Sequence, residues 1–202
     1  LGTLTAYGLF IDLNDAPVFG LSSQTLGVRF AGKKKTSDSL SLLYEAEYAM
    51  QSDYKDNPVD YTANYYHLSG GVSASGLTAK IGYEVLGSDN GAASFKTPLA
   101  TLHKFNGWAD KFLNTPNGGV EDLYASASYK VTSDGPLDGL KFTAIYHDFS
   151  ADTGGNYGSE IDLLIAKKIN DNYSVSLKYG HYKADGFATD TDKIWFTIGA
   201  KY

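Results

Sequence analysis

Apolar and polar side chains alternate with period two along most of the chain, most clearly at its end. In Lys193–Tyr202 one set reads Ile194, Phe196, Ile198, Ala200, Tyr202 and the other Lys193, Trp195, Thr197, Gly199, Lys201. Successive side chains of a strand point to opposite faces. This segment is therefore expected to be a strand with one face suited to hydrocarbon and the other to water. The same pattern predicts ten strands, at about 4–13, 24–32, 39–51, 64–75, 77–87, 121–132, 140–149, 159–169, 173–183 and 192–202. In the third, Leu40, Leu42, Tyr44, Ala46, Tyr48 and Met50 oppose Ser41, Leu43, Glu45, Glu47, Ala49 and Gln51. In the fifth, Leu77, Ala79, Ile81, Tyr83 and Val85 oppose Thr78, Lys80, Gly82 and Glu84; in the ninth, Tyr173, Val175, Leu177 and Tyr179 oppose Ser174, Ser176, Lys178 and Gly180. A slip of one residue would carry those charges into lipid, at about 2–4 kcal/mol for a Lys at the midplane.

These faces predict an all-β fold, an antiparallel transmembrane β-barrel in which residues 1–202 form one domain. The apolar faces are tipped by Tyr and the opposite faces hold Gly, Ser, Thr and scattered charges, without the continuous Val/Ile/Leu set of a soluble sandwich. The connections form a second pattern. Counting back from a last strand that ends in the periplasm, the turn-side links are Asn170–Asn172, Thr132–Gly139, Ser75–Gly76 and Gly32–Asp38. The loop-side links are Lys183–Thr191, Ser150–Gly158, Gly87–Val120, Ser52–Ala63 and Asn14–Ser23. Outer-membrane barrels have short periplasmic turns and longer extracellular loops. Every loop-side link is thus expected to match or exceed the longest turn, with both termini periplasmic. Inward Gly and Ser, such as Gly27, Ser69, Gly82, Ser126, Ser176 and Gly180, are expected to leave room for water in the lumen. Strand sequence begins almost at Leu1, so the ten strands are either a closed small barrel or the C-terminal portion of a larger one.

Composition narrows the class. The chain of 202 residues is 43% hydrophobic, and no run approaches the ~18 apolar residues that a spanning helix needs. Sixteen Tyr and ten Phe against two Trp fit aromatic girdles, expected to include Tyr44, Tyr48, Tyr65, Tyr66 and Phe142. The absence of Cys removes a disulfide framework and a thiolate metal site; no metal and no cofactor is expected. A net charge of −6 argues against nucleic acid as a partner. Much of it sits at Asp53, Asp56, Asp60, Asp152, Asp185, Asp190 and Asp192, expected as solvated loop tips, with divalent-cation bridging to lipopolysaccharide as the alternative.

The segment Gly87–Val120 exceeds the ~12–15 residues of an ordinary connection and is expected to be functional. Thr101 is placed to cap a short helix carrying Leu102, Phe105, Ala109, Phe112 and Leu113 on one side, weakened by Gly107. Folded over or into the barrel mouth, it would present His103, Lys104, Trp108, Asp110 and Lys111 as constriction candidates.

Thr97–Leu113, together with Asp122-Leu123-Tyr124, Tyr146–Asp152 and Tyr157–Glu160, resembles the C-terminal region of alginate-export family porins of proteobacterial outer membranes. The resemblance runs over about 95–202. It implies a large porin-like barrel with further N-terminal strands in the outer membrane of a Gram-negative bacterium. It also implies contact with lipid and lipopolysaccharide, and a cargo of small hydrophilic solutes or an anionic polysaccharide; oligomerisation stays open.

Export of a polyanion needs a cationic lumen. By parity, the pore-lining candidates are Arg29, Lys80, Lys130, Lys141 and Lys178, set against Glu45, Glu47, Glu84, Glu160 and Asp162. The excess of positive charge is mild, so a weakly selective porin is expected ahead of a dedicated polysaccharide path. Two other classes compete. One is a structural barrel that sheathes a partner protein. The other is a rim hydrolase using His147 with Asp148, His181 with Asp185, or Asp12 or Asp15 as general base. Alternation puts His147 and Asp148 on opposite faces, and neither Gly-x-Ser-x-Gly nor His-Glu-x-x-His occurs. The chain is not expected to be an enzyme.

Overall fold

The structure, a computed structural model, describes residues 2–201, without the side chains of Ala16 and Leu102. The lipid-facing place expected for Tyr202 and the helix-face place expected for Leu102 lie outside the described residues. Among the described residues twelve strands follow one another: β1 (Thr3–Ile11), β2 (Ser23–Lys35), β3 (Leu40–Asp53), β4 (Thr62–Ala74), β5 (Leu77–Leu86), β6 (Ser88–Asp89), β7 (Ala93–Ser94), β8 (Val120–Lys130), β9 (Lys141–Ser150), β10 (Asn156–Lys168), β11 (Tyr173–Ala184) and β12 (Thr191–Ala200). Ten form one sheet in the order β1-β2-β3-β4-β5-β8-β9-β10-β11-β12, every neighbour antiparallel; β6 and β7 make a small ribbon inside the long connection. Among the described residues β1 and β12 are the sheet's edges, each paired on one side only.

All ten expected strands of the main sheet are present, and their faces fall as the alternation predicts. Leu42, Ile81, Leu177 and Ile198 are 39%, 60%, 47% and 69% exposed, so these side chains line an outer surface and no shared dry interior. Val85 departs from the pattern: it is buried, in register between Tyr66 and Glu121. Tyr48 and Tyr66 pack at 5.3 Å between ring centroids, and Phe30 and Tyr44 at 5.8 Å, in keeping with an outer aromatic girdle. Tyr65 is not part of it. Its hydroxyl turns to the concave face and donates to Glu84 Oε1 at 2.5 Å.

Strand ends account for the main differences. β2 runs on to Lys35 because Lys33, Lys34 and Lys35 pair with Leu43, Leu42 and Ser41. β10 begins at Asn156, where a bulge shifts its register against β9. The loop-side links at 151–155 and 185–190 are therefore shorter than the turn-side link at 131–140, and the expected strict ordering of lengths fails. Ser75 and Gly76 form the tightest turn, with φ of +47° and +84°. Two successive positive φ values match the twist of the flanking strands.

The inward glycines do not leave the space expected of them. Tyr7 sits directly across from Gly27 and Tyr124 from Gly82; a Cβ at either glycine would come within 2.3 Å of the tyrosine ring. Each ring lies on bare backbone, so the glycines make room for tyrosine. The buried apolar cluster also lies on the concave side. Ala49, Ala63, Leu86, Val120, Phe149 and Tyr182 from the strands meet Phe95, Ala109 and Phe112 from the long connection.

Candidate functional site

The connection between β5 and β8 folds across the concave face, tied to nearly every strand it crosses. Near β3, Gln51 Nε2 donates to the Lys96 carbonyl at 2.9 Å, and Lys96 N–H donates back to Gln51 Oε1 at 2.7 Å. Phe95 packs on Tyr65 of β4 at 5.4 Å. Asn106 Nδ2 donates to Glu84 Oε2 of β5 at 2.9 Å. Phe112 packs against Phe149 of β9 with ring centroids 4.6 Å apart. On β10, Asp162 accepts from the Trp108 N–H at 3.1 Å and Glu160 from the Ala109 N–H at 2.6 Å. Lys111 reaches β12, donating to Thr191 Oγ1 at 2.6 Å, and lies over the Tyr182 ring at 5.4 Å.

These ties explain why the expected helix is reduced to one 3-10 turn at Leu102–Lys104. Asn106, Gly107 and Asp110 take φ of +51°, +83° and +60°, which no helix tolerates. The N–H groups of Trp108 and Ala109 go to strand carboxylates in place of helix carbonyls. Ala109 and Phe112 are buried as the face predicted, whereas Phe105 and Leu113 are exposed.

A second cluster joins the loop to β11 and β12. Lys178 Nζ donates to His103 Nε2 at 3.1 Å, which leaves His103 Nδ1–H to donate to Asp110 Oδ1 at 2.6 Å. Lys193 Nζ donates to Asp110 Oδ2 at 2.7 Å. Lys178 also lies over two indoles, 4.2 Å from the Trp108 centroid and 5.5 Å from that of Trp195. Burial pushes the Asp110 carboxyl up, but the bonds from Lys193 and His103 outweigh it and hold the group below its ordinary value. Lys193 thus meets the Asp110 carboxylate directly and Lys178 meets it through His103. Burial lowers the Lys96 ammonium, whose Nζ donates to the Thr115 carbonyl at 2.5 Å. Beside the cluster a cavity of about 630 Å³ is lined by His103, Asp110, Lys178, Trp195, Ser176 and Thr197.

The other candidates spread over the concave face. Arg29 pairs with Glu45 at 2.6 Å and Glu47 at 3.5 Å, and Glu47 also accepts from Tyr7 at 2.7 Å. Lys80 lies in a hollow with Glu45 and Ser69. Lys130 and Lys141 stand directly opposite one another at the turn end of β8 and β9. Lys104 rests over the Phe105 ring at 5.4 Å and contributes no bond to the loop cluster among the described residues.

Sequence reasoning missed the pair beneath the loop. His147 Nδ1 lies 2.9 Å from both oxygens of Asp122, and its Nε2 is 3.8 Å from Asp162. Its parity was legible; its partner was not, because register pairs Tyr124, not Asp122, with His147. His181 likewise bonds Asp192 at 2.9 Å rather than Asp185. Several loop-tip acids cap backbone: Asp152 accepts from Ser88 N–H at 2.7 Å and Asp190 from Ala184 N–H at 2.8 Å.

The curved sheet with a loop across its hollow has counterparts among solved structures. OccAB2 of Acinetobacter baumannii superposes with a TM-score of 0.64 at 15% identity, over 96% of this chain and 51% of that one. OccAB3 of the same organism gives 0.63 at 17% identity, over 98% and 51%. The fold is that of an antiparallel β-barrel. The chain spans about half the length of the two structures it matches. No family model and no curated protein matches it. The alginate-export resemblance finds no support in these comparisons.

Proposed function

We propose that the chain forms the wall and constriction of an outer-membrane porin that passes small hydrophilic solutes and favours those with an anionic group. The observation that carries this reading is the loop folded across a polar concave face, leaving Lys178 in the wall of an open cavity. Below that cavity, toward the turns, Lys130, Lys141 and Lys168 line a further hollow and extend the positive stripe. A lumen crossed by a loop suits small solutes better than an extended polysaccharide. Backbone groups at the free edges of β1 and β12 need partners in hydrocarbon. We therefore read the ten strands as one section of a barrel closed by further strands, in line with the half-length match. The two solved neighbours are channels, and the hydrolase reading draws nothing from them.

The in-folded loop also favours a second reading, a plugged structural barrel around a partner. Planar bilayers separate the two. The channel reading expects discrete conductance steps with a reversal potential biased toward anions. Lys130→Glu with Lys141→Glu should move that potential toward cations, since both side chains line the hollow. A protein that inserts but conducts nothing would favour the scaffold.

A further inference from the structure

We infer that the hollow at the turn end of β8 to β12 binds the phosphate group of a dissolved solute, for which inorganic pyrophosphate is the simplest probe. The inference rests on the channel reading, on which solutes reach this hollow through the lumen, and names the chemistry it takes. The hollow holds about 450 Å³ and is lined by Lys130, Lys141, Lys168, Ser174, Ser176 and Thr197. Among the described residues no Asp or Glu lines it.

Register explains how it is built. Lys141, Ala166, Ser176 and Thr197 stand in one row across β9 to β12, and Lys168, Ser174 and Gly199 stand in the next. Ala166 and Gly199 are small, so the floor between the lysines and the hydroxyls stays open. A Cβ at Gly199 would come 2.6 Å from Ser174 Oγ, so that hydroxyl needs glycine beside it.

Lys130 completes the rim. Its N–H donates to the Gly76 carbonyl on the β5 side at 3.0 Å, and the next pair, Val131 and Leu140, carries the bond toward β9 at 2.9 Å. Lys130 and Lys141 are therefore a non-hydrogen-bonded pair, the kind whose side chains approach most closely, with Cβ atoms about 5 Å apart. Like charges placed directly opposite repel. Neither ammonium group has a partner among the described residues. Asp138, in the turn between the two strands, turns Oδ1 to the Ser133 N–H. Lys168 pairs with Asp171 at 2.6 Å, both exposed on the rim.

A phosphate group answers this arrangement. It carries about two negative charges at neutral pH and three strong acceptor oxygens, enough to bridge both ammonium groups and reach a hydroxyl. A carboxylate brings one charge and leaves one lysine of the pair unneutralised.

The test uses the whole protein in detergent micelles, exchanged free of phospholipid and titrated calorimetrically with pyrophosphate. Saturable binding at one site per chain is expected, weakened by added salt because the lysines are exposed. Orthophosphate should bind more weakly and acetate not at all. Lys130→Gln with Lys141→Gln should lower affinity about tenfold or more, through the loss of charge-assisted bonds. Lys130→Arg with Lys141→Arg should retain binding. Lys34→Gln with Lys55→Gln removes the same charge elsewhere and should change nothing. Lys34 shares the outer face with Leu42, and Lys55 lies over the Tyr54 ring in a loop. Heat-modifiable gel mobility confirms the fold of each variant; if the Gln pair does not fold, Lys141→Gln alone carries the comparison. A parent that gives no saturable binding, a folded Gln variant that binds as the parent does, or an equal loss in the Lys34 and Lys55 variant overturns the site. Phospholipid held by the parent through detergent exchange, and released by the Gln pair, would assign the hollow to a lipid headgroup and overturn the dissolved solute. Binding is measured without ion flow, so a protein that binds pyrophosphate yet conducts nothing keeps the site and defeats the channel reading alone.

Discussion

Excising Thr97–Thr115 and bridging the gap with a short glycine–serine link should raise single-channel conductance severalfold and weaken discrimination among solutes. On the channel reading the loop is the principal object in the path. It is tied to β3 at Gln51, to β5 at Glu84, to β10 at Glu160 and Asp162, and to β12 at Lys193 and Thr191. Removing it takes away the Asp110 side of the Lys193 pair and one of the two indoles over Lys178. Both lysines then face open water, so anion preference should fall per unit of conductance while total current rises. The barrel wall should survive, because strand pairing from β1 to β12 runs without the loop. An unchanged conductance in a folded deletion protein would mean that the loop stands clear of the solute path.

The second large effect concerns the outer face. Leu177→Lys or Ile81→Lys should destabilise the inserted protein by about 2–4 kcal/mol if the position lies near the bilayer midplane. Ser176→Lys, one residue from Leu177 on the cavity-lining face, should cost far less, since its ammonium reaches water. Urea-driven unfolding from lipid vesicles measures the difference. Adjacent positions with opposite sensitivities are a consequence of period-two geometry alone. Equal costs at 176 and 177 would remove the distinction between the two faces.

The strands were legible because alternation is a local property. A face reading Ile194, Phe196, Ile198 beside one reading Lys193, Trp195, Thr197 needs no knowledge of the rest of the chain. The Ser75-Gly76 turn was legible for the same reason. What escaped was non-local. Parity assigned Gly27 and Gly82 to the concave face but could not show that Tyr7 and Tyr124 lie on them, which depends on register. Parity also put Glu160 and Asp162 inward without revealing that a loop some fifty residues earlier would spend its backbone N–H groups on them. The helix expected over Leu102–Leu113 failed on that same competition. Of the loop candidates, His103, Trp108 and Asp110 do converge with Lys178, while Lys104 stays outside the cluster; nothing in the spacing separated Lys104 from the others.

The most direct test uses the absence of cysteine from the chain. Single cysteines replacing Leu42, Ile81, Leu177 and Ile198, and in a second set Ser41, Lys80, Lys178 and Thr197, are labelled with a fluorophore in the membrane-inserted protein. The first set should be quenched by a nitroxide carried on lipid acyl chains and the second by a water-soluble quencher, in strict alternation. Labels at Leu42, Ile81, Leu177 and Ile198 that are shielded from the lipid-borne nitroxide would place those side chains in a dry interior and contradict the membrane barrel outright.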